Sequence, residues 1–355
     1  MAALVNPYAR VASRAHEVFE NIQALVVVQQ GRPFDEPSRW RDDGQLHQAL
    51  NNVKAAAQAW SMSCSKLALL VPKSPTAEIL SSILDELLAQ VDVVMVVFLQ
   101  LMDCSLSRPL FDAVSSRVRS HVIRGKELLE MAGEASPDFG AISNAASIIF
   151  KLYDQIQDLP MTNKAAYRRH VMEQMAVVKD TIREFQGYVD AAASAEQGDN
   201  GDDNDEDEDE DEDEDDDEPY TPQEASLVQT CLGSMDCAML ALKAVLVIMT
   251  HVADAITPGA DTVDAQDKAA CDRWVGALSL LVKDCEDQLT KLGSELYAPF
   301  DLDNVRLYHG SLCTTLQRIS ECLSDSRYSG FLSEAHRTVL ADLDTSRLAV
   351  QLAQV

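Results

Sequence analysis

Residues 46–67, LHQALNNVKAAAQAWSMSCSKL, decide how the rest of the chain is read. Their apolar side chains stand at Leu46, Leu50, Val53, Ala57, Trp60, Cys64 and Leu67, with spacings of 4, 3, 4, 3, 4 and 3. Positions three and four apart share one face of a helix, so the series forms a continuous apolar stripe. A strand would send successive members to opposite faces, and no half-buried sheet could use them. The stretch reads as an amphipathic helix.

The same rhythm recurs on either side. Val228, Leu232, Met235, Met239, Leu242, Leu246 and Met249 repeat it, and Val11, Ala15, Val18, Ile22, Leu25 and Gln29 follow with one polar slip. Prolines at 33, 37, 72, 75, 109, 137, 160, 219, 222, 258 and 299 fall between the periodic runs, where a residue without an N–H starts or separates helices. The pattern predicts helices over 8–30, 39–70, 76–104, 109–133, 139–158, 162–195, 222–256, 262–297, 302–324 and 330–353. Short connections favour antiparallel neighbours in up-and-down bundles. The helix after Thr76 is apolar on more than one face and is expected at the centre of the first bundle. The fold class is therefore all-α: two up-and-down helical bundles.

Charge marks a division between them. The formal net charge is −29, and 17 of the acids lie between residues 197 and 220, where there is no base. Fourteen are consecutive: Asp205, Glu206, Asp207, Glu208, Asp209, Glu210, Asp211, Glu212, Asp213, Glu214, Asp215, Asp216, Asp217 and Glu218. With nothing apolar to bury, the run is expected to be a disordered strap spanning between ~25 Å as a coil and ~65 Å when extended. The expected domains are an N-terminal bundle over 1–196, an acidic linker over 197–220 and a C-terminal bundle over 221–355. So acidic a chain repels nucleic-acid phosphates and anionic membranes, so basic protein surfaces are the expected partners of the strap.

Residues that would carry chemistry do not converge. The seven histidines include no HExxH pair and no metal-finger spacing with cysteine, and read as solvated or helix-terminal side chains. The eight cysteines form no CxxC, and most lie on apolar helix faces as reduced thiols of a cytoplasmic or nuclear protein. Cys231 and Cys237, six apart, point to different sides of a helix. Gly-rich phosphate loops and nucleophile elbows are absent. The acidic run lacks the glycine and terminal glutamate of a calcium loop. The apolar window Val91–Met102 is interrupted by Asp92 and too short to span a bilayer, and the N-terminus lacks the pattern of a signal peptide. The expectation is a non-enzyme with no cofactor and no metal site. Two basic clusters, Arg117, Arg119, Arg124 and Lys126, then Lys164, Arg168, Arg169 and His170, read either as solvated helix surface or as a face for anions or the strap.

One segment resembles a known family. NKAAYRRHVMEQMAVVKDTIREFQ (163–186) is similar to the strongest stretch of the cyclin-D-interacting protein family (cyclin-D-binding proteins, GCIP or Maid), with the NKAA start at Asn163–Ala166 and the VKD element at Val178–Asp180. The helical first half, the acidic linker and the helix LVQTCLGSMDCAMLALKAVLVIM (227–249) match in order. The resemblance implies bundles of the vinculin and α-catenin type. It implies a non-enzymatic regulator, cytoplasmic and nuclear, that binds D-type cyclins and helix-loop-helix transcription factors and restrains the cell cycle.

Against that background Arg108-Pro109-Leu110-Phe111 fits the pattern of a cation and two apolar residues by which peptides dock on a cyclin groove, with Arg108, Leu110 and Phe111 as contacts. The alternative is that Pro109 opens a helix and Leu110 and Phe111 join its core. Ser74, Ser136, Thr221 and Thr257, each before proline, are candidate sites for proline-directed kinases, or else helix caps. Two other functional readings stand beside the first: a cytoskeletal bundle of the vinculin or talin class, and an acidic chaperone for histones or other basic proteins.

Overall fold

Capping side chains set where the helices begin. Thr76 Oγ1 accepts the amide of Ile79 at 3.4 Å, Asp138 accepts those of Gly140 and Ala141 at 2.8 and 3.1 Å, and Asp301 those of Asp303 and Asn304. Each satisfies donors that the first turn leaves without partners. The structure, a computed structural model, describes residues 6–30, 44–104, 106–197, 220–255, 265–297 and 301–324. Among these it holds nine α-helices and no strand: α1 (Pro7–Gln30), α2 (Gly44–Leu70), α3 (Ala77–Met102), α4 (Arg108–Ala132), α5 (Phe139–Gln157), α6 (Asn163–Gln197), α7 (Pro222–Ala255), α8 (Ala265–Ser294) and α9 (Leu302–Leu323). The all-helical class is as the periodicity requires. The helix expected over 330–353 lies outside the described residues.

The chain divides into two compact units, Met1–Tyr167 and Arg168–Val355. In the first, neighbouring helices pack in the closed order α1, α3, α2, α5, α4, with α2 and α4 also touching across the ring. Trp60, Phe98 and Phe111 are fully buried at its centre. Gly125 of α4 allows the approach of α2, since a Cβ there would lie 2.6 Å from Cε2 of Trp60. The NKAA start has a structural reason: the Asn163 carboxamide oxygen accepts the buried Ser107 amide at 2.6 Å, tying the start of α6 to the start of α4.

One expectation is corrected here. The helix after Thr76 is not central: α3 packs against α2 and α1 only from one side, and its second apolar face is turned outward. Periodicity reports that a face is apolar without saying what meets it. The first compact unit ends within α6, at Tyr167. From Arg168 on, α6 belongs with α7, α8 and α9: Gln174 donates to Glu286 of α8 at 2.9 Å, and the Phe185 ring lies 5.1 Å from that of Tyr297.

The same packing bears on the acidic run, which itself lies outside the described residues. Its two flanks meet in one unit. Tyr188 of α6 and Tyr220, the first described residue after the run, have ring centroids 5.8 Å apart, and the Tyr220 hydroxyl donates to the Leu296 carbonyl at 2.6 Å. One stretch, Pro222–Val247 of α7, is long and apolar enough to cross a membrane by length and composition. Its Val228, Leu232, Met235, Leu242 and Val245 are buried within the second unit.

Candidate functional site

The candidate cyclin-docking residues open α4. Ser107 is extended (φ −70°, ψ 154°) and Pro109 occupies the first turn, where its missing N–H is no loss. Rotation from there turns Leu110 and Phe111 inward, and both are 0% exposed. Arg108 Nε is held by Asp112 at 2.6 Å one turn on. Neither apolar side chain can enter a partner's groove without unfolding the helix, so these residues are core.

Of the three Ser/Thr-Pro pairs among the described residues, one caps. Thr221 forms a reciprocal box with α7: its Oγ1 accepts the Glu224 amide at 3.3 Å, while the Glu224 carboxylate accepts the Thr221 amide at 2.8 Å. Ser74 instead ends a short 3-10 turn (Val71–Lys73) in the left-handed region at φ 49°, two residues ahead of the cap of α3. Ser136 is exposed ahead of the Asp138 cap. Thr257 lies outside the described residues.

The basic clusters are answered within their own units. Arg124 meets Glu127 at 2.6 Å and Lys126 meets Glu130 at 2.9 Å. Arg119 lies 5.6 Å from the centre of the Phe19 ring and donates to Gln23. On α6, Arg169 pairs with Glu173 at 2.9 Å, and His170 faces Glu286 at 3.4 Å. Such surface pairs add little stability, yet each reduces the field available to an anion.

Two histidines contradict the solvated reading. His121 of α4 and His309 of α9 are buried, each with Nε2 against a serine on a neighbouring helix: Ser61 of α2 at 2.7 Å and Ser234 of α7 at 2.8 Å. Burial lowers both ring pKa values, that of His121 to about 4. The serines shared a sequence signal, since Ser-Met-x-Cys occurs at Ser61–Cys64 and again at Ser234–Cys237. Serine beside imidazole is also the start of a nucleophile–base pair, but Ser61 and Ser234 are both 0% exposed and no substrate reaches them. They are polar pins in the two cores. Cys64, Cys231, Cys285 and Cys313 are buried thiols outside any disulfide. Burial pushes Cys231 and Cys285 up to about 12, and Cys64 and Cys313 upward too, so none is poised as a nucleophile.

Some accessible surface among the described residues is apolar. The outward side of α3 presents Val93, Val96 and Leu99, which are 48%, 53% and 41% exposed. In the second unit a groove of about 280 Å³ lies between α6 and α8, walled by Val178, Phe185 and Leu289 and rimmed by Glu184 and Glu286. Surfaces of this kind take up side chains from another protein and offer no convergent polar set for a reaction.

Residues 45–191, from the start of α2 to near the end of α6, match the family described as Grap2 and cyclin-D-interacting, N-terminal. A comparison with curated proteins gave no match.

Proposed function

We propose that the chain, whose residues 45–191 match the family described as Grap2 and cyclin-D-interacting, N-terminal, is a non-enzymatic regulator that binds a D-type cyclin and acts by occupying it. Restraint of cell-cycle progression and binding of helix-loop-helix transcription factors extend the same reading, in both cytoplasm and nucleus. The family match carries it, because the matched residues build four helices of the first unit and lead into the second. The exposed apolar helix faces support recognition of partner helices over chemistry on a small substrate. The acidic run from Asp205 to Glu218 would act at long range, steering basic surfaces toward the chain and raising association rates at low salt.

The test is binding of purified D-type cyclin to the full chain, and to a chain lacking residues 199–218. Saturable binding to both is expected, with association slower and less salt-dependent in the shortened chain. No binding of any D-type cyclin to the intact chain refutes the reading.

A further inference from the structure

α3 carries an apolar face that the described residues of its own unit leave exposed. With Leu84, Leu87, Val91 and Phe98 turned to the core, Val93, Val96 and Leu99 stand on the other side, within two turns of one another. Isolated exposed valines are ordinary, whereas a contiguous patch toward the C-terminal end of a long helix offers a surface for another apolar stripe. Its register with α2 is fixed by Lys66, which meets Glu86 at 3.0 Å.

The surrounding charge says what fits. α3 holds Glu78, Asp85, Glu86 and Asp92 and no base, and Asp103 caps its end. The cations beside it are already committed: Arg10 to Asp85 at 2.9 Å, Arg14 to Asp92 at 2.7 Å and to Glu17 at 2.6 Å, and Lys66 to Glu86. Each of these cations answers one α3 carboxylate, and Glu17, Glu78 and Asp103 remain in excess, so the net charge around the patch is negative. We propose that this face docks an amphipathic helix of a partner protein whose apolar stripe is flanked by lysine and arginine. A second copy of this chain fits badly, because a two-fold contact of α3 with itself would set the same carboxylates against one another. The inference deepens the interaction reading above by naming a surface and a partner chemistry.

The experiment uses the full chain and three labelled helical peptides: one with a leucine stripe flanked by Lys and Arg, one with the same stripe flanked by Glu, and one with the basic composition and a scrambled stripe. Binding is read by fluorescence anisotropy. The basic striped peptide binds best, weakens as salt is added, and loses ~10-fold or more affinity to the V93E/V96E chain. Phe150→Glu, on the exposed side of α5, leaves it unchanged, and Val96→Ser gives a smaller loss without added charge. Equal binding of the scrambled or acidic peptide, or indifference to V93E/V96E, overturns the proposal. So does a wild-type dimer that V93E/V96E splits, which assigns the face to a second copy. So does a Val96→Cys thiol that an uncharged maleimide reaches no faster than the thiols of the wild-type chain, which means the chain covers its own face. A chain that binds the basic peptide but no D-type cyclin leaves this surface standing and removes the cyclin reading. Cyclin binding untouched by V93E/V96E, with no peptide binding, does the reverse.

Discussion

Gly125 and Trp60 meet where α4 crosses α2, and the contact leaves no room for a methyl group. Gly125→Ala must displace a fully buried indole or push α2 and α4 apart, at a loss of roughly 1–3 kcal/mol, read as a lower urea midpoint with unchanged slope. Trp60→Leu in the same chain relieves the clash, so the double variant is more stable than the two separate losses add up to. Leu110→Ala and Phe111→Ala each cost about 3–5 kcal/mol because both side chains are fully enclosed. Loss of the thermal transition in either, before any change in cyclin affinity can be assigned to a contact, is the expected result.

His121 gives the chain an acid limit. In the unfolded chain the ring takes up a proton near pH 6.5, while in the folded chain burial holds it neutral to about pH 4. Its contribution is whole above pH 6.5 and is lost as pH falls across that window, by up to roughly 3 kcal/mol. His121→Gln should be less stable at pH 7 yet flatter between pH 6.5 and 4, measured as melting temperature against pH. Nothing in the sequence around His121 signals this: Val118, Val122 and Leu129 mark the buried face, but the partner, Ser61, is sixty residues away. A polar residue on an apolar stripe is buried or solvated according to what faces it, and periodicity in one helix does not carry that information.

At the scale of elements, starts and stops were the legible features. Pro7, Pro109 and Pro222 stand in the first turns of α1, α4 and α7, and the apolar series of 46–67 is buried from Leu46 to Leu67. The Thr221 cap follows from the same chemistry, with Glu224 three residues on as the reciprocal partner. Thr221→Ala should cost about 1 kcal/mol and speed amide hydrogen exchange in the first turn of α7 while leaving α9 unchanged. Ser74 and Ser136 show the limit of that logic. Each precedes a proline as Thr221 does, but Thr76 and Asp138 lie two residues nearer the helix and take the cap. The place of α3 was not legible either. Its two apolar faces suggest enclosure, and only the three-dimensional neighbours reveal that one of them is presented to solvent.

At the scale of the molecule, the charge run is the obvious landmark, while the compact units divide within α6. An uninterrupted acidic stretch between two helical halves invites a linker reading, and the two halves are real. Yet α6, which precedes the run, commits most of its length to the half that follows, through Gln174, Phe185 and Tyr188. The partners of Gln174 and Phe185 lie over a hundred residues ahead, and that of Tyr188 lies beyond the acidic run. Local sequence pattern has no means of expressing such a pairing.

Because Tyr188 stacks near Tyr220 and Glu184 accepts the Tyr297 hydroxyl at 2.8 Å, the peptide bonds of the acidic stretch are not what keeps its flanks together. A single proteolytic nick between residues 200 and 218 should therefore yield two fragments under denaturing conditions that still migrate as one species in native gel filtration, and that reassociate after being separated and mixed. In that respect the second unit is a naturally split protein, whose complementation needs aromatic packing and no covalent continuity.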